Sequence, residues 1–392
     1  MKRILFISIP EKGHLNPMIG PAAHLRGRGH RVAFFASGDV SAQLQRAGLD
    51  MVHDMSAQPP PIAENHGAIF SQKVRDRQWL RGWIKRMLVE NTGKQIEPLR
   101  KIIRDFRPQL IVTDPMIYAA IIAAHEENLP WVALSNSLNP VLDESVDSEL
   151  LDTVRWLAPE RRQLFDAHGL NVRFSGCDAI SPWLTIAFTT KEFIGQNVRD
   201  VRMVGPSFPA AVRGDETGFP WDRLRPGLPV AYLSFGSQIY HQPDIFHHVS
   251  EATRGLGVQL VIAAQQLHGS AELRSLPDHV ITCGYAPQIS LLARASIFVT
   301  HGGANSVMEA IRSNVPLLIS PVCNDQFHQA HYVRRSGVGL VLDLHTASMT
   351  ECRATLEELL NSVEIKRQMK RVSDSYQRDG AAEAASLIEG LL

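Results

Sequence analysis

Residues 285–326 read YAPQISLLARASIFVTHGGANSVMEAIRSNVPLLISPVCNDQ. The apolar run 296–300 is a short strand, His301-Gly302-Gly303 is a turn, and a helix opens near Asn305. A strand feeding a glycine turn and then a helix makes an anion site. Free backbone N–H groups and the positive end of the helix dipole face one point. His301, Asn305 and Ser306 add side-chain donors there, and Glu309, one turn further along, presents a carboxylate to hydroxyls such as those of a ribose. A charged diphosphate, a sugar and a base can all be held by such a stretch.

Outward from this stretch, both halves of the chain alternate strands with helices. In the first half, 3–9, 31–36, 109–113, 131–134 and 184–188 read as strands, with helices over 17–29 and 116–127. In the second, 230–235, 259–263, 279–282, 297–300 and 316–320 read as strands, and 366–392 as helix. This alternation predicts an α/β fold of parallel βαβ units with helices on both sheet faces. At 392 residues, two domains are the expectation. The Pro-, Gly- and charge-rich run 204–229, VGPSFPAAVRGDETGFPWDRLRPGLP, separates them, giving a first domain over 1–205, a linker over 206–229 and a second domain from 230. No GxGxxG follows the first strand, which disfavours a nicotinamide dinucleotide fold. The loop there is Pro10-Glu11-Lys12-Gly13-His14-Leu15-Asn16-Pro17, with Asn16 expected as N-cap and Pro17 at the first helical position.

Charge is balanced at 40 basic against 40 acidic residues, which points away from nucleic acid and from anionic membrane surfaces. Four scattered cysteines without a CxxC pair predict free thiols in a reducing cytoplasm. The N-terminal apolar run is strand-length, so neither a signal peptide nor the ~20-residue span of a membrane helix is expected.

The 285–326 stretch closely resembles the donor-binding signature of the family 1 nucleotide-sugar glycosyltransferases. Tyr285, Pro287 and Gln288 match its opening, His-Gly-Gly-x-Asn-Ser-x-x-Glu its centre, and Asp325-Gln326 its end. The resemblance implies the GT-B architecture, two Rossmann-like domains facing each other across a cleft. The second domain then ends at 370, and a helix over 371–392 returns to the first. It also implies a UDP-sugar co-substrate and no metal or other cofactor. Tyr285 would stack on the base beside Ala286, Gln288 would bond base or ribose, and the His301–Glu309 segment would hold diphosphate and ribose. Ser237, in the loop after Phe235-Gly236, would touch phosphate from the opposite wall. Asp325 and Gln326 would bond the hydroxyls of the sugar, a pair that in this family accompanies hexoses such as glucose. Position 285 is Tyr where plant relatives carry Trp, which leaves UDP and dTDP both open.

His14 lies between the first strand and first helix, at the expected mouth of the cleft, and Asp114 at the end of the 109–113 strand. Transfer of a sugar to a hydroxyl needs a base to take the acceptor proton. An imidazole backed by a carboxylate meets that need, and the family's GHxNP loop and strand-end aspartate resemble these two positions. For the acceptor, the sequence offers Phe70, Trp79, Trp83, Met87, Met116 and Asn136, an adaptable and mostly apolar set suited to a small lipophilic hydroxylated molecule. Trp79, Trp83 and Met87 also recur at helical spacing, the mark of core packing. The acidic run 143–149 reads as a solvated helix start, and His328 and His331 as surface or core histidines without a metal. Three functions stay open at this point: a hexosyltransferase, a non-catalytic ligand-binding relative, and an epimerase or lipid-precursor transferase on the same scaffold.

Overall fold

The structure, a computed structural model, describes residues 1–52, 66–143, 145–208 and 218–392. The first half builds β1 (Arg3–Ser8), β2 (Arg31–Ala36), β3 (Asp50–Met51), β4 (Leu110–Thr113), β5 (Trp131–Ser135), a hairpin of β6 (Arg173–Ser175) and β7 (Asp178–Ile180), β8 (Leu184–Ala187) and β9 (Arg202–Met203). The second builds β10 (Val230–Ser234), β11 (Gln259–Ala263), β12 (Val280–Cys283), β13 (Ala295–Thr300), β14 (Leu317–Ile319) and β15 (Gly339–Val341). Two sheets result, ordered β3-β2-β1-β4-β5-β8-β9 and β12-β11-β10-β13-β14-β15, with every pairing in them parallel. The strands are apolar on both faces because each face is covered. In β1, Ile4 and Phe6 enter one core and Leu5 and Ile7 the other. Strand order reverses between β1 and β4 in the first sheet and between β10 and β13 in the second. These are the switch points where crevices open at the strands' carboxyl ends. The two-residue strands β3 and β9 and the Gly-Leu-Val strand β15 are too short to carry a period and escaped the sequence reading.

The first helix runs Lys12–Gly27, not 17–29, so Asn16 is not its N-cap; Glu11 holds that position without a side-chain cap bond. Pro17 and Pro21 therefore lie inside the helix. Each proline lacks an N–H and so leaves the carbonyl four residues earlier without its helical donor. Both carbonyls find partners from far along the chain. Ser207 Oγ donates to Pro17 O at 2.5 Å, and Asn305 Nδ2 reaches Gly13 O at 3.3 Å. The two prolines thus create docking points that fasten this helix to the interdomain segment and to the second domain.

The expected continuous helix over 366–392 is broken into Val363–Ser375 and Gly380–Glu389. A Cβ at Gly380 would lie 2.6 Å from the Pro206 carbonyl, so the turn between them depends on the missing side chain. The last helix crosses back to the first domain: Arg28 and His30 both bond Glu389, at 2.8 and 2.9 Å, and a Cβ at Gly20 would meet Ala381 at 2.7 Å. Residues 209–217 of the interdomain run lie outside the described set. The acidic run is an interdomain contact as well as a helix start. Asp143 pairs with Arg335, and Ser148 caps the helix Glu149–Trp156 while its Oγ bonds the buried His328 Nε2 at 2.8 Å. Tyr332 OH donates to Val141 O at 2.8 Å alongside them.

Candidate active site

Between the sheets lies a cleft of about 320 Å³, a size suited to small molecules. Its walls are the loops at both switch points. From the first sheet, the turn after β1 carries His14 in the opening turn of its helix, and Asp114 directly follows β4. His14 Nδ1 and Asp114 Oδ2 are 2.6 Å apart. Asp114 Oδ1 accepts the Met116 N–H at 3.0 Å, which fixes the carboxylate, and Asn136 Nδ2 donates to the His14 carbonyl at 2.8 Å. Asp114 is buried, whereas the His14 side chain keeps 28% of its surface exposed, so its second nitrogen remains reachable from the cleft. Burial opposes charge on His14. The Asp114 carboxylate and its hydrogen bond outweigh that and, with Glu11 and Asp325, push the imidazole up to about 9. An imidazole so held can exchange a proton at Nε2 while the carboxylate fixes its tautomer.

From the second sheet, His301 follows β13 and Gly236-Ser237 follow β10. The His301 ring lies between two glycines. A Cβ at Gly303 would come within 2.6 Å of Nε2, and one at Gly236 within 2.8 Å of Cε1. Phe235 stacks on the ring at 6.1 Å. Burial pushes His301 down to about 4 against a bond to the Ser234 backbone, so near neutrality the ring is uncharged and acts as an N–H donor. The helix Ala304–Arg312 opens beside it with Gly303 as an N-cap that makes no side-chain bond, leaving its first N–H groups open to an anion. At its far side, Tyr232 OH donates to Gln288 Oε1 at 3.2 Å, and Gln288 Nε2 donates to Glu309 Oε2 at 2.8 Å. Asp325 heads the helix Gln326–Ser336 but makes no capping bond; burial pushes its carboxyl up, with His14 pulling the other way. Among the described residues no group of three or more His, Cys, Asp or Glu side chains could hold a metal, and no helix is long and apolar enough to cross a membrane.

Comparison with known proteins agrees with the two-domain α/β fold. Residues 227–381 match the family model of UDP-glucoronosyl and UDP-glucosyl transferases. An uncharacterized UDP-glucosyltransferase of Bacillus subtilis, YojK, is 24% identical over 98% of this chain and 96% of its own. The oleandomycin glycosyltransferase of Streptomyces antibioticus is 26% identical over 99% of this chain and 90% of its own. Among solved structures, the kitacinnamycin glycotransferase superposes with a TM-score of 0.77 at 22% identity, covering 100% of this chain and 99% of that one. The glycosyltransferase VinC in complex with dTDP superposes at 0.64 and 20%, covering 99% and 100%. Together these matches, with the family model confined to residues 227–381, support a family 1 glycosyltransferase.

Most residues singled out in the glycosyltransferase's sequence meet in the one cleft: His14, Ser237, Tyr285, Ala286, Gln288, His301, Gly303, Asn305, Ser306, Glu309, Asp325 and Gln326 all line it. Several are engaged otherwise than expected. Asn305 directs its amide across the cleft to the carbonyls of Lys12 and Gly13, both at 3.3 Å. Gln326 braces its own loop, its Oε1 accepting from Val322 N at 2.8 Å and Cys323 N at 3.1 Å. Gly302 lies beneath the surface in the left-handed region at φ 90°, where a Cβ would strike Ile319 at 2.8 Å. Burial keeps His301 a neutral donor, in keeping with its reading as a side-chain donor.

On the first-domain side, Trp83, Met87, Met116 and Asn136 line the cleft beside Ile84 and Leu150. Phe70 and Trp79 do not. Phe70 is buried and packs edge-on against Trp83 at 5.4 Å, while Trp79 stacks on Trp83 at 6.5 Å from behind. The helical spacing of these aromatics therefore reflects packing that holds Trp83 in place. Sequence reasoning passed over several residues of the site, Lys12, Tyr232 and Asn324 among them. Lys12 and Tyr232 carry no motif of their own. Asn324, at φ 54°, had one legible sign, since asparagine before Asp325-Gln326 suits a left-handed turn.

Proposed function

We propose that this glycosyltransferase moves a hexose, glucose first among them, from a UDP-sugar to a hydroxyl of a small lipophilic natural product, with inversion and without a metal. The observation that carries this reading is the meeting, in one cleft, of the His14–Asp114 pair and the His301-Gly302-Gly303 turn. In this account His14 Nε2 takes the acceptor hydroxyl proton as the oxygen attacks the anomeric carbon. Asp114 stabilises the imidazolium that forms. The bond from the anomeric carbon to the phosphate oxygen breaks, and its electron pair leaves with the nucleoside diphosphate. His301 and the N–H groups opening the Ala304–Arg312 helix receive that charge. A single displacement from the opposite face inverts the anomeric centre.

Asp325, free of capping duty and near enough to His14 to influence its charge, is assigned to the sugar hydroxyls. Gln326 is assigned mainly to shaping the loop that presents it. Glu309, set by Gln288, is assigned to the ribose, and Tyr285 to the base. Trp83, Met87 and Met116 give the acceptor side an apolar, adaptable lining, and the oleandomycin glycosyltransferase among the relatives supports a natural-product acceptor. Four buried free cysteines support a reducing cytoplasm. A thymidine diphosphate sugar is the second reading of the donor, favoured by Tyr285 in the stacking position and by the dTDP complex of VinC.

Calorimetric titration of UDP-glucose, UDP and dTDP into wild type and His301→Ala tests the donor site. Uridine ligands that bind wild type and bind the variant more weakly support the proposal. Binding of dTDP alone moves the donor to the second reading, and binding of no nucleotide leaves a non-catalytic ligand-binding protein in its place.

A further inference from the structure

We propose that Lys12 is a donor-binding residue whose ammonium leaves the face of Tyr285 when the nucleotide enters and settles on the diphosphate. The inference rests on the reading of this cleft as a nucleotide-sugar site. Among the described residues, Lys12 is the only lysine or arginine lining the cleft, which also carries the carboxylates of Glu11, Glu309 and Asp325. On the second-domain side a departing diphosphate meets the partial charge of the helix N-terminus and a His301 held neutral by burial, but no full cation. The backbone of Lys12 already lies at the diphosphate end of the cleft: its carbonyl and that of Gly13 are each 3.3 Å from Asn305 Nδ2, in the first turn of the Ala304–Arg312 helix. The side chain is exposed, its Nζ resting 4.9 Å from the centroid of the Tyr285 ring.

That resting place has a consequence. An exposed ammonium–aromatic contact is weak and readily exchanged. A base stacking on the same face of Tyr285 displaces the ammonium, and a four-carbon stem anchored beside the Ala304–Arg312 helix carries it to the phosphates. Entry of the base and arrival of the charge are then one event. Because Lys12 belongs to the first domain and the helix to the second, the contact would also tie closure of the cleft to the presence of a diphosphate.

The test compares UDP with uridine in the full-length protein. Affinities are measured by calorimetry for UDP, and by competition against UDP for uridine, in wild type, Lys12→Gln and Lys12→Arg. Loss of one charge-assisted contact predicts that Lys12→Gln weakens UDP about tenfold or more. Uridine should change less than about twofold, and Lys12→Arg should keep most of the UDP affinity. Equal weakening of UDP and uridine would overturn the proposal, since Lys12 would then act only through the Tyr285 ring, and so would unchanged UDP binding in Lys12→Gln. Wild type that binds neither UDP nor dTDP would instead overturn the donor-site reading itself, and this proposal with it.

Discussion

Replacing Asp114 by Asn should separate the two effects that the carboxylate has on His14. The imidazole sits at about 9 because Asp114 outweighs the burial that would lower it. An amide keeps the size of the side chain and removes its charge. His14 should then fall from about 9 to its ordinary 6.5 or below, about 3 kcal/mol of coupling. At pH ~7.5 roughly 3% of wild-type His14 is neutral in the free enzyme, against most of it in the variant. If orientation and stabilisation of the imidazolium matter more than the supply of neutral base, Asp114→Asn should still lose activity, by on the order of 100-fold. The direct assay is an NMR titration of the His14 Cε1 proton over roughly pH 5.5–10, assigned by its absence in His14→Ala. A high midpoint in wild type and a low one in the variant are expected. A wild-type midpoint at or below 6.5, or equal midpoints in both proteins, would refute the reasoning.

Other expectations follow from the packing. Gly303→Ala places a methyl group against His301 Nε2 and should weaken UDP at least ~10-fold in calorimetry, with little change in Tm. Ser207→Ala strands the Pro17 carbonyl and should cost about 1–3 kcal/mol in denaturant unfolding. Burial and the charge of Asp114 push Asp178 up to about 7 from 3.8, despite its bonds to Ser135 and Asn139. Its folded pKa is raised, so its contribution to stability is full below the unfolded value and declines as pH rises through about 7. Asp178→Asn should therefore gain Tm relative to wild type at pH ~8, and the gain should shrink by pH ~6. A gain that does not depend on pH would contradict this.

How far the residues disclosed these features in advance depends on how local their causes are. Apolar strands buried on both faces and alternating with helices are a local pattern, so both parallel sheets could be read from the chain. The strand, glycine turn and helix start of 285–326 could be read for the same reason, being contiguous. Features governed by distant partners could not. Pro17 looks like a first helical residue until Asn305, nearly three hundred positions away, is seen donating to the carbonyl it frees. The charge state of His301 follows from its seat between Gly236 and Gly303, which neither its own loop nor its spacing reveals. Phe70 and Trp79 share the composition of Trp83 and Met87, and only their packing separates the residues behind the wall from those on it.

The central claim is that His14 performs the proton transfer in a site whose nucleotide binding does not depend on it. Turnover and UDP affinity measured on the same His14→Ala sample test it most directly. The account predicts that glycoside formation falls by at least ~100-fold while UDP affinity stays within about twofold of wild type. Unchanged turnover would contradict it.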